Sequence, residues 1–159
     1  MFIIYLVIFV VFALLVAAQF GFLSGKQPSN IGVAKDRLKP PSKTRNSVSS
    51  QAHLHADHAQ LQYASIEPLP FKNNSVANSM QTLLGVLKTI PGVTIVDAKP
   101  DYIYAQSQTK VLKFVDDVEF WVNPSKSVID IRSASRLGRE DFGVNRARVE
   151  AIRVAYNAQ

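Results

Sequence analysis

The sequence predicts an α+β domain: a four-stranded antiparallel meander with two helices packed on one face, preceded by one N-terminal transmembrane helix. Three observations predict it. Residues 1–20, MFIIYLVIFVVFALLVAAQF, carry no charge. Two stretches beyond residue 110 alternate apolar and polar residues around a Pro-containing turn, as half-buried strands do. Two others repeat apolar residues at helical spacing.

The first element is the charge-free run. A helix rises about 1.5 Å per residue, so twenty residues cover about 30 Å, one hydrocarbon core. A helix apolar on every face suits lipid better than the interior of a small domain. The lipid bilayer is therefore the partner expected for residues 1–20. A cleaved signal peptide is the rival reading, since Val16-Ala17-Ala18 offers small residues for cleavage, but the basic n-region is missing. Lys26, Lys35, Arg37, Lys39, Lys43 and Arg45 follow the span and no basic residue precedes it. That bias places the following domain in the cytoplasm.

Residues 21–45 read as a basic, flexible tether, rich in Gly, Pro, Ser and Lys and stiffened at Pro40-Pro41. Its six basic residues against Asp36 leave +5 of the chain's net +6. From Asn46 onward twelve basic residues face eleven acids, which leaves +1. A nearly neutral domain is a poor nucleic-acid binder, because phosphate attraction dominates that affinity. Cysteine is absent, which excludes disulfides, thiolate zinc sites and cysteine nucleophiles. No G-x-S-x-G, P-loop or G-x-G-x-x-G occurs, and no cofactor is called for.

The soluble domain is expected over 46–159. His53, His55 and His58 are its only histidines. Their H-x-H-x-x-H spacing invites an imidazole-bound metal, but they sit in Ala- and Gln-rich sequence with no scaffold, and a polar surface loop is the simpler explanation. Ile66 to Phe71 is extended, because proline disfavours helix in the residue before it. Asn74 or Ser75 caps a helix whose stripe is Val76, Met80, Leu83, Leu84, Leu87 and Ile90; Pro91-Gly92 ends it. Val93–Asp97 and Tyr102–Ser107 read as strands around a Lys99-Pro100-Asp101 turn.

Residues 112–122 then alternate. Leu112, Phe114, Val118, Phe120 and Val122 point one way, and Lys113, Asp117, Glu119 and Trp121 the other. Asp116 falls on the apolar side, which demands either a bulge that turns it outward or a buried partner. After the Asn123–Ser127 turn, Ile129 and Ile131 alternate with Asp130 and Arg132. Matching apolar faces pairs Phe120 with Ile131 and Val122 with Ile129. The same register sets Glu119 opposite Arg132 and Trp121 opposite Asp130, on a face expected to be uncovered and open to a partner. A loop from Ser133 to Gly143 leads to a last helix with Asn145 as N-cap and Val149, Ile152, Ala155 and Tyr156 inward. Arg146 and Glu150, four apart, are placed to pair.

Asp116, Asp117, Glu119, Arg132, Ser133, Ser135, Arg136, Asp141, Asn145, Arg146, Arg148 and Glu150 are thus the candidate binding residues. In one reading the arginines neutralise Asp116, Asp117, Glu119 and Asp141 and fix the loop. In the other, Arg136, Arg139, Arg146 and Arg148 crowd the N-terminus of the last helix and hold an anion there, with a carboxylate beside it as acid or base.

Asn46–Gln51, Ile66–Leu69, Phe114–Phe120, Arg132–Arg136 and Gly138–Glu150, with Asp141-Phe142-Gly143-Val144-Asn145-Arg146 at its centre, resemble the family called domain of unknown function 1499. The resemblance covers about Pro40 to Tyr156. It implies no reaction, ligand or catalytic residue. It implies a domain that follows a signal, a lipid anchor or a membrane span, on the periplasmic or lumenal side, against the charge bias. Many members carry Cys where Ser47 stands, so thiol chemistry is not expected here. The expectation is a single-pass, non-enzymatic binding module of the cell envelope. Its alternative is an enzyme or binder acting on an anionic small molecule, with Asp117 or Glu119 moving a proton and Arg132, Arg136 and Arg146 holding the anion.

Overall fold

The computed structural model describes residues 1–159. Its sheet grows outward from the hairpin of β5 (Val115–Asn123) and β6 (Val128–Ser135). Phe120 lies opposite Ile131, Val122 opposite Ile129, Glu119 opposite Arg132 and Trp121 opposite Asp130. This register puts the apolar residues of both strands on one face, and a one-residue slip would turn them all out. β4 (Tyr102–Gln108) pairs with the free edge of β5, and β3 (Val93–Ala98) with β4. Pairing runs unbroken through Asp116, opposite Ser107 and Ser135, so no bulge turns that residue outward. β5 starts later than the alternation suggests. Leu112 and Phe114 precede it, and Lys113 takes a left-handed backbone (φ 56°).

The sheet has six strands, not the four expected. β1 (Ser47–Ser49) and β2 (Leu69–Pro70) both pair antiparallel with the outer edge of β6. The order is β1-β6-β5-β4-β3, with β2 also beside β6. Strands of three and two residues contain too few positions for a period of two to show.

There are four helices: α1 (Phe2–Gln19), a single turn α2 (Leu61–Ala64), α3 (Val76–Thr89) and α4 (Val144–Asn157). Ser75 caps α3 by accepting the Asn78 N–H at 3.2 Å. α3 and α4 share one core with the sheet. Met80, Leu83 and Leu87 from α3 and Val149, Ile152 and Tyr156 from α4 meet Ile103, Val118, Phe120, Ile129 and Ile131. α1 stands apart, with only Ala18 buried.

The opposite sheet face is covered, against expectation. Residues 31–40, which read as tether, lie across it. Leu38, 2% exposed, packs with Tyr102, Tyr104 and Trp121. The Gly32 N–H donates to Glu119 and the Leu38 N–H to Gln51, while the Pro40 carbonyl accepts from Arg132. Trp121 is therefore 7% exposed and offers no open aromatic surface. The cover packs only Leu38 and, half-buried, Ile31 against the rings and binds otherwise through backbone groups, so no hydrophobic period announces it.

Candidate functional site

The sheet carries its charged residues on two faces, and the parity of each strand decides which. Asp117, Glu119 and Trp121 share the covered face with Arg132 and Asp130. Tyr102 and Tyr104 of β4 lie beside Trp121 and Glu119.

Arg136 grips Asp117 with two bonds, Nε to Oδ2 at 3.0 Å and Nη2 to Oδ1 at 2.7 Å. The Tyr104 hydroxyl donates to the same carboxylate at 2.6 Å. Hydrogen bonding to Asp117 holds the Arg136 pKa above its ordinary value, against the pull of burial. Burial, then the bond to Asp117, pushes Tyr104 up.

Glu119 is fully buried. Its Oε1 accepts from the Gly32 N–H at 2.7 Å and the Tyr102 hydroxyl at 2.9 Å, while Arg132 Nη1 reaches Oε2 only at 3.5 Å. The predicted pair exists, but neutral donors hold this carboxylate more closely than the arginine does. Burial accordingly lowers the Arg132 pKa, with Glu119 opposing. Burial first, then the charge of Glu119, raises Tyr102. Asp130 has no arginine. Ser50, Gln51 and Asn123 donate to it at 2.6, 2.7 and 2.7 Å.

On the helix face Asp116 meets Arg148, so the partner explanation for this residue holds. Arg148 also donates to Ser133 at 3.0 Å and to Asn145 Oδ1 at 2.8 Å, and Asn145 donates to Ser135 at 2.9 Å. These contacts lock α4 to β6.

The N-terminus of α4 is not the anion site that the arginines suggested. Gly143, at φ 83°, takes the N-cap position; Asn145 lies inside the helix, fully buried. That left-handed turn lets Asp141 reach back to the Gly143 N–H at 3.0 Å and the Asn145 N–H at 3.1 Å. The chain's own carboxylate thus occupies the positive end of the helix. The arginines scatter instead. Arg146 donates to the carbonyls of Tyr63 and Ser65 at 2.6 and 2.9 Å, not to Glu150, which pairs with Arg153. Arg139 is exposed.

Tyr63 also bonds Asp141, and burial followed by this contact pushes its hydroxyl up to about 12. For Asp141 burial acts upward. The hydrogen bonds from Tyr63, Asn145 and the Gly143 and Asn145 N–H groups outweigh it and hold the carboxyl below its usual range. A depressed folded pKa stabilises above the unfolded value of about 3.9 and loses that contribution as pH falls through the folded value. Asp141→Ala is therefore expected to cost about 1–2 kcal/mol at pH 7. It should cost progressively less in urea melts run below about pH 4.

A family model described as "Protein of unknown function (DUF1499)" matches residues 37–155. The chain belongs to the DUF1499 family. No curated protein and no solved structure matches it. The DUF1499 match begins at Arg37, inside the covering segment, so Leu38 and Pro40 lie within the matched region.

In this DUF1499 domain the three histidines do not form a triad. His53 Nδ1 meets the Ser50 carbonyl at 3.0 Å and its Nε2 lies 2.9 Å from Lys126 Nζ. His58 accepts from the Gln60 N–H at 3.1 Å. His55 faces a cleft with Arg37, and burial, then that cation, lowers its pKa. No group of three His, Asp or Glu side chains is placed to hold a metal ion.

The charged candidates likewise fail to converge on one concavity. Asp116 and Asp141, with Ser135, border a cleft of about 320 Å³; Asp130, outside the candidate set, borders one of about 360 Å³. A cleft of about 490 Å³ holds none of the charged candidates; Lys35, Arg37, Lys39 and His55 line it. Every buried side-chain nitrogen and oxygen has a hydrogen-bond partner. Chemically, the arrangement holds the carboxylates in place against arginines and neutral donors. Tyr63, Tyr102, Tyr104, Ser50, Gln51 and Asn123 were missed as members of this network. Alternation in β4 could have placed Tyr102 and Tyr104 beside Glu119. The others join through short strands and turns that have no period.

Proposed function

We propose that this DUF1499 chain is a single-pass, membrane-anchored domain acting as a non-catalytic binding module of the cell envelope. The observation that carries this reading is the mutual neutralisation of the charged cluster. Asp117, Glu119 and Asp116 are taken up by Arg136, Arg132 and Arg148, and Asp130 by three neutral donors. The two candidate acids that border a cleft, Asp116 and Asp141, are each held by partners within the fold. The anchor rests on α1, 18 residues of mean hydropathy 2.8 with 6% of the span buried. Membranes from cells expressing the full chain test it. Retention of the chain after alkaline carbonate washing is expected, and its release would retire the anchor. A reporter fused after Gln159 decides between the cytoplasmic side favoured by the charge bias and the periplasmic or lumenal side favoured by the family.

A second reading, binding of an anionic small molecule, is favoured by the cleft of Lys35, Arg37, Lys39 and His55 rather than by the Asp/Glu–Arg cluster. No carboxylate lines that cleft, and none of its cations is in an ion pair. A ligand at 100 times its dissociation constant stabilises by about 2.7 kcal/mol. Phosphate or citrate is then expected to raise the Tm of the full chain by a few degrees, and Arg37→Glu to abolish the rise. An unchanged Tm across both anions removes this reading.

A further inference from the structure

One end of the sheet gathers the domain's exposed apolar side chains. Beyond Phe22 nine large hydrophobic residues are exposed, and five of them, Val111, Leu112, Leu137, Phe142 and Val144, lie in the loops and helix start at this end. The other four are valines at separate places in the chain, Val33, Val76, Val96 and Val154. Val111 and Leu112 sit between β4 and β5; Leu137 and Phe142 sit between β6 and α4. The two loops come together, because Phe114, Leu137, Phe142 and Val144 line the same cleft of about 320 Å³. Phe142 is 90% exposed on a left-handed backbone (φ 50°). Nothing in the fold uses its ring.

The same end is where α1 leaves off. Gln19, the last residue of α1, donates from Nε2 to the Val111 carbonyl at 3.2 Å. Gly25 lies so close to the second loop that a Cβ on it would stand 2.8 Å from Arg136 Cβ and 3.0 Å from Leu137 Cγ. An 18-residue helix is about 27 Å long, close to a hydrocarbon core, so its last residue stands at headgroup depth. Val111 is within one hydrogen bond of that depth. Phe20 and Phe22, both 77% exposed, add aromatic rings at the junction. Lys26, Lys110 and Arg139 are exposed around it and none is in an ion pair. Of the nearby acids, Glu140 pairs with Arg45 and Asp141 caps α4. Apolar prongs ringed by free cations match an anionic lipid surface.

We propose that this end of the sheet docks on the bilayer beside α1, with Phe142 inserted at the level of the headgroups. The docking rests on the reading of α1 as a membrane span. It holds the domain against the lipid in one orientation rather than leaving it on a free tether.

The chain has no cysteine, so a single label can be placed without removing others. Phe142→Cys and Val154→Cys, each in the full chain, take a nitroxide label and are reconstituted into phosphatidylcholine–phosphatidylglycerol vesicles. Val154 is 70% exposed and about 15 Å along α4 from Val144, away from the docking end. Power saturation then compares access by oxygen, which partitions into lipid, with access by a water-soluble nickel complex. The oxygen-to-nickel ratio is expected to be several-fold higher at position 142 than at 154. Equal ratios in chains that float with the vesicles overturn the docking and leave the anchor standing. Dipolar broadening between labels at position 142 shows a second copy covering the patch and also overturns it. A chain that does not float with vesicles overturns the anchor and the docking together.

Discussion

Arg136→Ala is expected to lower the unfolding free energy by about 3–5 kcal/mol, because it strands a carboxylate that cannot reach water. Asp117 has 2% of its side chain exposed and Arg136 7%. Both carboxylate oxygens take an arginine N–H, and the remaining donor is the Tyr104 hydroxyl. Removing the guanidinium leaves one neutral hydrogen bond to a buried charge. The size of the loss measures that stranding, not the worth of the pair. Taking two ions out of water costs about as much as their attraction returns, so a buried pair replaced by apolar groups is often neutral. The double variant Asp117→Leu/Arg136→Leu should therefore recover most of what Arg136→Ala loses. Urea melts of the two variants check this. If Arg136→Ala costs under about 1 kcal/mol, the pair behaves as an exposed one and its burial is wrong.

Leu38→Ala is expected to cost about 2–5 kcal/mol, the range for a leucine truncated in a packed interior. The residue lies in a stretch that looks like linker, so the size of the effect decides what that stretch is. Leu38 is 2% exposed against Tyr102, Tyr104 and Trp121. Those three rings cover Asp117 and Glu119, so loosening the cover also admits water to the carboxylates. The chain has one tryptophan, and it lies under Leu38. Its emission should move to longer wavelength in the variant before global unfolding. An unchanged Tm together with unchanged tryptophan emission would show residues 31–40 to be detached from the sheet.

The central hairpin was legible because its information is local. A period of two over nine residues, a turn and the demand for matching apolar faces admit only some registers, and the sheet adopts the one read from the sequence, in which Glu119 meets Arg132. The apolar α1 was legible because its composition is uniform. Asn145 misled because a polar residue before a helical stripe looks like an N-cap. The cap comes from Asp141, two residues before the N-cap position, across left-handed backbone at both Phe142 and Gly143. Arg146 and Glu150 were four apart on one helix face, yet the carbonyls of Tyr63 and Ser65, about eighty residues away in sequence, claimed the arginine.

By itself, then, the sequence determined the α+β class, the N-terminal apolar helix, the hairpin register and membership in DUF1499. Tertiary structure decided which charges meet, that the far face is covered, and that cations of the segment that looked like tether line one cleft. The reason is physical. Periodicity records which side of an element avoids water, and it is written over consecutive residues. Hydrogen bonds from backbone groups and single side chains join distant residues and have no period, so only the folded chain reveals them.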